Sequence, residues 1–174
     1  LPLREKIAQR MFDKQQIKTD ADHILMTSGS QMGLDFSARV FLDEGDVVLL
    51  EAPSYLGAIN AFKTCQPKFV AIPTDDDGMI IDELKKAIAE NDNIKFCYVI
   101  PDFQNPTGKV WSLVRRKQFM EVMTEAEIPV VEDNTYDPVA ILNLFVKRSL
   151  GILTFLGGVE RIGAFMISCE NLDE

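Results

Sequence analysis

Five short apolar runs alternating with helix-like segments predict an α/β domain built on a mostly parallel sheet. The runs are HILMT (23–27), DVVLLE (46–51), KFVAIPT (68–74), IKFCYVI (94–100) and IPVVED (128–133). Several are rich in Val and Ile, and the later ones carry apolar residues on both faces, as strands covered by helices on both sides do. The 174 residues suit one domain or part of a larger protein. A chain of that size buries about 70% of its unfolded surface, enough for a real core.

The segments between the runs read as helices. Leu3, Ile7 and Met11 recur every four residues, with Arg4, Glu5, Lys6 and Arg10 on the other faces. Residues 31–41 form a second helix with Met32, Phe36 and Val40 as its apolar stripe, and 55–62 a shorter one. Ile81, Leu84 and Ile88 mark one face of the next helix. Ser112 caps the last, whose apolar face holds Phe119, Met120 and Met123. From Asp137 onward the periodicity is lost; Gly157-Gly158 is a turn flanked by either strand or helix. The chain thus divides into a patterned part, 1–136, and a divergent tail, 137–174.

Composition narrows the function classes. Hydrophobic residues make up 47% and charged residues 26%, which excludes disorder. The most apolar stretch, 139–159, is broken by Asn143, Lys147, Arg148 and Ser149, so no membrane span is expected. Eighteen basic against 27 acidic residues give a net charge of −9, which disfavours nucleic acid and anionic membrane surfaces as partners. One small phosphate is still compatible with that charge, because a helix N-terminus supplies local positive potential. Cys65, Cys97 and Cys169 are odd in number and widely spaced, which matches neither a zinc site nor a disulfide framework and suits a cytoplasmic location. Cys97 lies in an apolar run and is expected to be buried. The opening LPLREKIAQR has no signal-peptide pattern and no initiating methionine, and is expected to belong to a longer chain.

Ligands of open α/β sheets bind beyond the carboxyl ends of the strands. Four groups fall there: Ser28-Gly29-Ser30-Gln31, Ala52-Pro53-Ser54-Tyr55, the stretch PDFQNPTG (101–108), and Asp133 with Tyr136 three residues later. Singly, each has an ordinary reading as a helix cap, a half-buried aromatic, a turn in which Pro106 keeps Asn105 extended, or a salt-bridge carboxylate. Jointly they supply a phosphate cradle, an aromatic plate, an amide and a carboxylate. That set holds a flat, phosphorylated, protonatable heteroaromatic ring. No metal is expected: Asp75-Asp76-Asp77-Gly78 lacks the alternating ligands and final glutamate of a calcium loop and reads as a solvated turn. His23 reads as a surface or capping residue, and Trp111 as packing under the Asn-Pro-Thr-Gly turn.

Three segments, TSGSQMGLDFSARVFLDEGDVVLLEAPSYLGAI (27–59), VIPDFQNPTG (99–108) and IPVVEDNTY (128–136), carry a family resemblance. In order and spacing the chain resembles the fold-type-I pyridoxal-phosphate aminotransferases. The branch is that of the 2-aminoadipate and kynurenine aminotransferases and the related domains of some transcription regulators. The resemblance runs from residue 1 to about 136 and implies a truncated large cofactor domain of three α/β/α layers. It further implies pyridoxal 5'-phosphate as cofactor, amino-group transfer from an α-amino acid to a 2-oxo acid, and a homodimeric full-length form. By position it gives Ser30 and Gln31 to the phosphate, Tyr55 to stacking on the ring, Asn105 and Tyr136 to the ring's phenolic oxygen, and Asp133 to the ring nitrogen.

The resemblance breaks after Tyr136. The family's Schiff-base lysine lies a few tens of residues beyond the aspartate in a Ser/Thr-rich motif, followed by an arginine for the phosphate. Here the only lysine after Asp133 is Lys147, too close and without that motif. No catalytic residue is therefore assigned, and the chain alone is expected not to turn over. Two accounts of the tail stand: an aberrant reading of an ordinary gene, or a shortened relative that binds the cofactor without catalysis. The alternative function, from another class, is such a remnant or the sensor domain of a transcription regulator.

Overall fold

The computed structural model describes residues 2–15 and 17–134, together with the backbone of 152–157 and 163–168. Helix α1 (Pro2–Gln15) leads through a short 3-10 turn, capped by Asp20, into β1 (Ile24–Thr27). There follow α2 (Ser30–Phe41), β2 (Val47–Ala52), α3 (Leu56–Phe62), β3 (Lys68–Pro73) and α4 (Ile81–Glu90). Next come β4 (Ile94–Val99), α5 (Leu113–Glu125) and β5 (Val130–Asn134). Two further strands follow, β6 (Ile152–Gly157) and β7 (Gly163–Ser168). All seven join one sheet in the order β1-β7-β6-β5-β4-β2-β3. Neighbours from β6 to β3 are parallel, whereas β7 runs antiparallel to β6 and β1.

Alternation along the strands builds two cores. Val48 and Leu50 of β2, Phe96 and Tyr98 of β4 and Val131 of β5 pack with Leu34 and Ala38 of α2 and Ala58 and Phe62 of α3. Their neighbours Val47, Leu49, Cys97, Val99 and Val130 pack on the other face with Leu84 of α4 and Phe119, Met120 and Met123 of α5. The sheet is the middle of three layers, which is why its strands read as continuous apolar runs rather than alternating ones. Cys97 is fully buried. Ser112 caps α5 as its position predicts, its hydroxyl accepting from the Arg115 N–H at 3.2 Å.

Helix α2 forms where the periodicity predicts, but the expected stripe is not its inward face. Met32 and Val40 are 39% and 72% exposed, while Gly33, Leu34, Ser37 and Ala38 are buried. Small side chains let α2 lie close over the sheet, and the Ser37 hydroxyl is satisfied by the Gly33 carbonyl at 2.9 Å. Leu34 supplies the large apolar side chain of that face, and the small residues Gly33, Ser37 and Ala38 flank it. Helix α1 shows a related difference: Leu3 is exposed, and Ala8 packs beside Met11 against Ile24 of β1.

Candidate functional site

Strand directions put four loops at one edge of the sheet. β2, β4 and β5 are mutually parallel, and β1 shares their direction because β7 opposes both β1 and β6. The residues after β1, β2, β4 and β5 therefore emerge together, the position at which open α/β sheets take ligands.

Between β1 and α2, Gly29 has φ of +86°, a conformation that a side chain would strain, and this turns the chain abruptly into the helix. Gly29, the N-cap of α2, has no side chain to accept from the first turn, and N–H groups at a helix start favour an acceptor such as an anion. Ser30 opens the helix. Gln31 follows, its amide donating to the Gly57 carbonyl at 3.2 Å. Tyr55 stands at the N-cap of α3 and folds its ring over Gly57, so close that a Cβ there would lie 2.4 Å from Tyr55 Cζ.

Gln104 fixes the next loop. Its Nε2 donates to the Pro53 carbonyl at 2.8 Å, while its Oε1 accepts from the Thr107 N–H and hydroxyl at 2.9 and 2.7 Å. Asn105, half-buried between those anchors, lines an open cavity of about 580 Å³ with Phe103, Gln104, Pro106 and Gly108. Contacts thus run from the start of α2 through Gly57, Tyr55 and Pro53 to the loop of Asn105.

Asp133 stands in β5 on the same sheet face as Tyr98, because Tyr98 is in register with Val131 two residues earlier. It is 3% exposed, and its Oδ2 accepts from the Tyr98 hydroxyl at 2.8 Å. Its Oδ1 is buried without a hydrogen-bond partner among the described residues. Burial raises the Asp133 carboxyl to about 6, against the lowering effect of the Tyr98 bond. The Tyr98 phenol is pushed well above its ordinary range, by burial first and then by the adjacent Asp133 charge, so it stays protonated and donates. Tyr55 packs against the core cluster that contains Tyr98, which places the aromatic near the carboxylate. Tyr136 and Lys147 lie outside the described residues.

The family model for aminotransferase class I and II matches residues 1–154. The chain belongs to that family. An aromatic-amino-acid aminotransferase of Thermococcus litoralis is 42% identical over 139 residues, 78% of this chain and 33% of the relative. An uncharacterized HTH-type transcriptional regulator of Bacillus subtilis is 30% identical over 138 residues, 77% of this chain and 28% of the regulator. Among solved structures, the α-aminoadipate aminotransferase of Thermus thermophilus superposes with a TM-score of 0.79 at 31% identity. That likeness covers 96% of this chain and 45% of the solved one, which is complexed with N-(5'-phosphopyridoxyl)-L-leucine. The chain spans about a third of the curated aminotransferase's length.

Several residues of this aminotransferase edge escape a reading of motifs alone. Glu51, 1% exposed at the end of β2, accepts from the Trp111 indole N–H and the Ile100 N–H, each at 2.9 Å. Burial raises its carboxyl to about 7. Trp111 also packs edge-on against Phe119, at 5.1 Å between centroids, which gives its packing a concrete partner beneath the loop. Tyr98 and Gln104 are the other two. The signal for Tyr98 was its hydroxyl in an otherwise apolar strand, since a buried phenol needs a hydrogen-bond partner. His23 pairs with Asp20 at the surface, and Arg115 holds Asp75 at 2.8 Å. No cluster of three metal-ligating side chains occurs among the described residues.

Proposed function

We propose that this chain is the cofactor-cradling part of an aminotransferase that moves an amino group from an α-amino acid to a 2-oxo acid, with pyridoxal 5'-phosphate as cofactor. The observation that carries the reading is Asp133: a buried carboxylate with one oxygen held by Tyr98 and the other without a partner among the described residues. Such an oxygen suits a cationic ring N–H. When bound, the cofactor supplies an electron-withdrawing ring that stabilises negative charge at the substrate's α-carbon.

The chain's own residues then have separate tasks. Ser30, Gln31 and the first turn of α2 take the phosphate, because N–H groups and the helix dipole favour an anion there. Tyr55 offers its ring for stacking, with Gly57 keeping the space beneath it clear. Asn105, on a loop pinned by Gln104, donates to the phenolic oxygen, and Tyr136 shares that task by family resemblance. Asp133 keeps the ring nitrogen protonated.

No lysine in the family's motif lies within residues 134–174, so non-covalent binding is the mode assigned to these residues by themselves. The full-length form is proposed to be a cytoplasmic homodimer. Exposed Leu25, Met32, Val40 and Leu56 support covering partners, and no described helix is long and apolar enough to cross a membrane. The similarity to a helix-turn-helix regulator supports a second reading, a sensor domain that holds the cofactor without transferring amino groups.

The test is to titrate the chain with pyridoxal phosphate, reduce with borohydride and map adducts by mass spectrometry, with Asp133→Asn alongside. Saturable binding lost in Asp133→Asn, without a stoichiometric lysine adduct, is the expected result. Binding that ignores Asp133→Asn would overturn the site; one specific lysine adduct would overturn the non-covalent assignment.

A further inference from the structure

A buried aspartate left to itself takes up a proton, and a protonated carboxyl offers an O–H where a cationic ring nitrogen needs an acceptor. Asp133 is in that situation at 3% exposure. The donor recorded for it is the Tyr98 hydroxyl, 2.8 Å from Oδ2. Tyr98 is itself fully buried, with its ring edge-on to Phe62 at 5.5 Å, so the hydroxyl cannot swing away to solvent. We propose that Tyr98 is a positioning residue for the cofactor's ring nitrogen: by donating to Oδ2 it keeps Asp133 a carboxylate and reserves Oδ1 for the ring's N–H. The proposal rests on the cofactor reading above and extends it to a residue that the family motifs did not mark.

Other titratable groups surround the pair and must be held constant in any test. They are Tyr55 from the start of α3, Glu51 at the end of β2 and Glu132 on the same strand. Of these, Glu51 and Glu132 stand on the opposite sheet face. Among the described residues, the Tyr98 hydroxyl is the donor bonded to the Asp133 carboxylate.

The experiment uses the whole chain labelled with [13C]aspartate, the Asp133 carboxyl resonance being assigned by its loss in Asp133→Asn. Tyr98→Phe keeps the ring and removes the hydroxyl. A second variant carries 3-fluorotyrosine at position 98, whose hydroxyl is the stronger donor. Without any ligand, the Asp133 midpoint should rise by about one pH unit in Tyr98→Phe, the scale of one hydrogen bond to a charge, and fall in the fluorinated variant. Opposite movement is the signature of the hydrogen bond, because a packing defect would shift both the same way.

The second arm adds [15N]pyridoxine 5'-phosphate, which has no aldehyde and so cannot form lysine adducts. Its ring nitrogen should be protonated in the wild-type chain at pH 8 and shifted toward neutral in Tyr98→Phe, with affinity reduced about tenfold. An Asp133 titration unchanged by Tyr98→Phe would overturn the proposal and leave the cofactor reading intact. A wild-type chain that takes up no pyridoxine phosphate, while the titrations still move in opposite directions, would instead overturn the cofactor reading and the ligand assigned to Oδ1.

Discussion

At the residue scale, Gly57 is defined by what lies over it. A Cβ there would meet Tyr55 Cζ at 2.4 Å and the Tyr55 hydroxyl at 2.5 Å, both at the far end of a side chain that can move. Gly57→Ala should therefore displace the Tyr55 ring rather than disrupt α3. Global stability should change by less than about 1 kcal/mol, the range of a substitution its neighbours can accommodate. Affinity for pyridoxine 5'-phosphate should fall about five- to tenfold, the worth of one aromatic stacking contact. Parallel urea melts and fluorescence titrations would check both halves. Equal losses in Gly57→Ala and Tyr55→Ala would tie the glycine to the stacking role, whereas unchanged affinity in both would remove Tyr55 from the site.

Buried polar ties between secondary-structure elements hold the loops at the sheet edge. Arg116 of α5 is 5% exposed and pairs with fully buried Asp102 at 2.5 and 3.1 Å, while also donating to the Trp111 and Pro101 carbonyls at 3.0 Å. This locks α5 to the segment leading from β4 to Asn105. Arg116→Met should lower unfolding free energy by about 3–5 kcal/mol because it strands a buried charge, and Arg116→Met with Asp102→Leu should recover part of it. Urea unfolding of the two variants decides the point; equal losses would show that lost packing, not the stranded carboxylate, is responsible. The ties also explain what the sequence made legible. β2, β4 and β5 could be read because both of their faces meet helices, so hydropathy alone outlines them. Glu51 and Trp111 could not be paired, because their bond spans 60 residues and neither residue carries a local pattern. The inward face of α2 is not visible in hydropathy for a similar reason: Met32 and Val40 rank above Gly33 and Ser37, yet Gly33 and Ser37 are the buried ones. Site positions near turn motifs, such as Asn105, were legible; the tyrosine that bonds Asp133 was hidden inside an apolar run.

Across the whole molecule, burial of carboxyls sets the response to pH. Glu51 and Glu132 are raised to about 7 and Asp133 to about 6, in each case chiefly by loss of hydration. A carboxyl held above its unfolded value binds its proton more tightly in the native state. Its stabilising contribution is complete below the unfolded value and is lost as pH rises through the folded one. For these groups the loss spans roughly pH 4 to 8, and the rise of Glu51 from 4.5 to about 7 alone converts to about 3 kcal/mol. Asp75 works in the opposite sense, since Arg115 lowers its carboxyl and that stabilisation disappears only below the ordinary carboxylate range. The net charge of −9 adds repulsion on the alkaline side. Stability should accordingly peak on the acidic side of neutrality, with a higher urea midpoint at pH 5.5 than at pH 8. Glu51→Gln should flatten the slope between those values, because the amide keeps an acceptor for Trp111 or Ile100 and has no charge to bury. A midpoint that rises steadily from pH 5.5 to pH 8 would show that these carboxylates are ionised in the folded chain at no cost. Tyr98 would then have no protonation of Asp133 to resist.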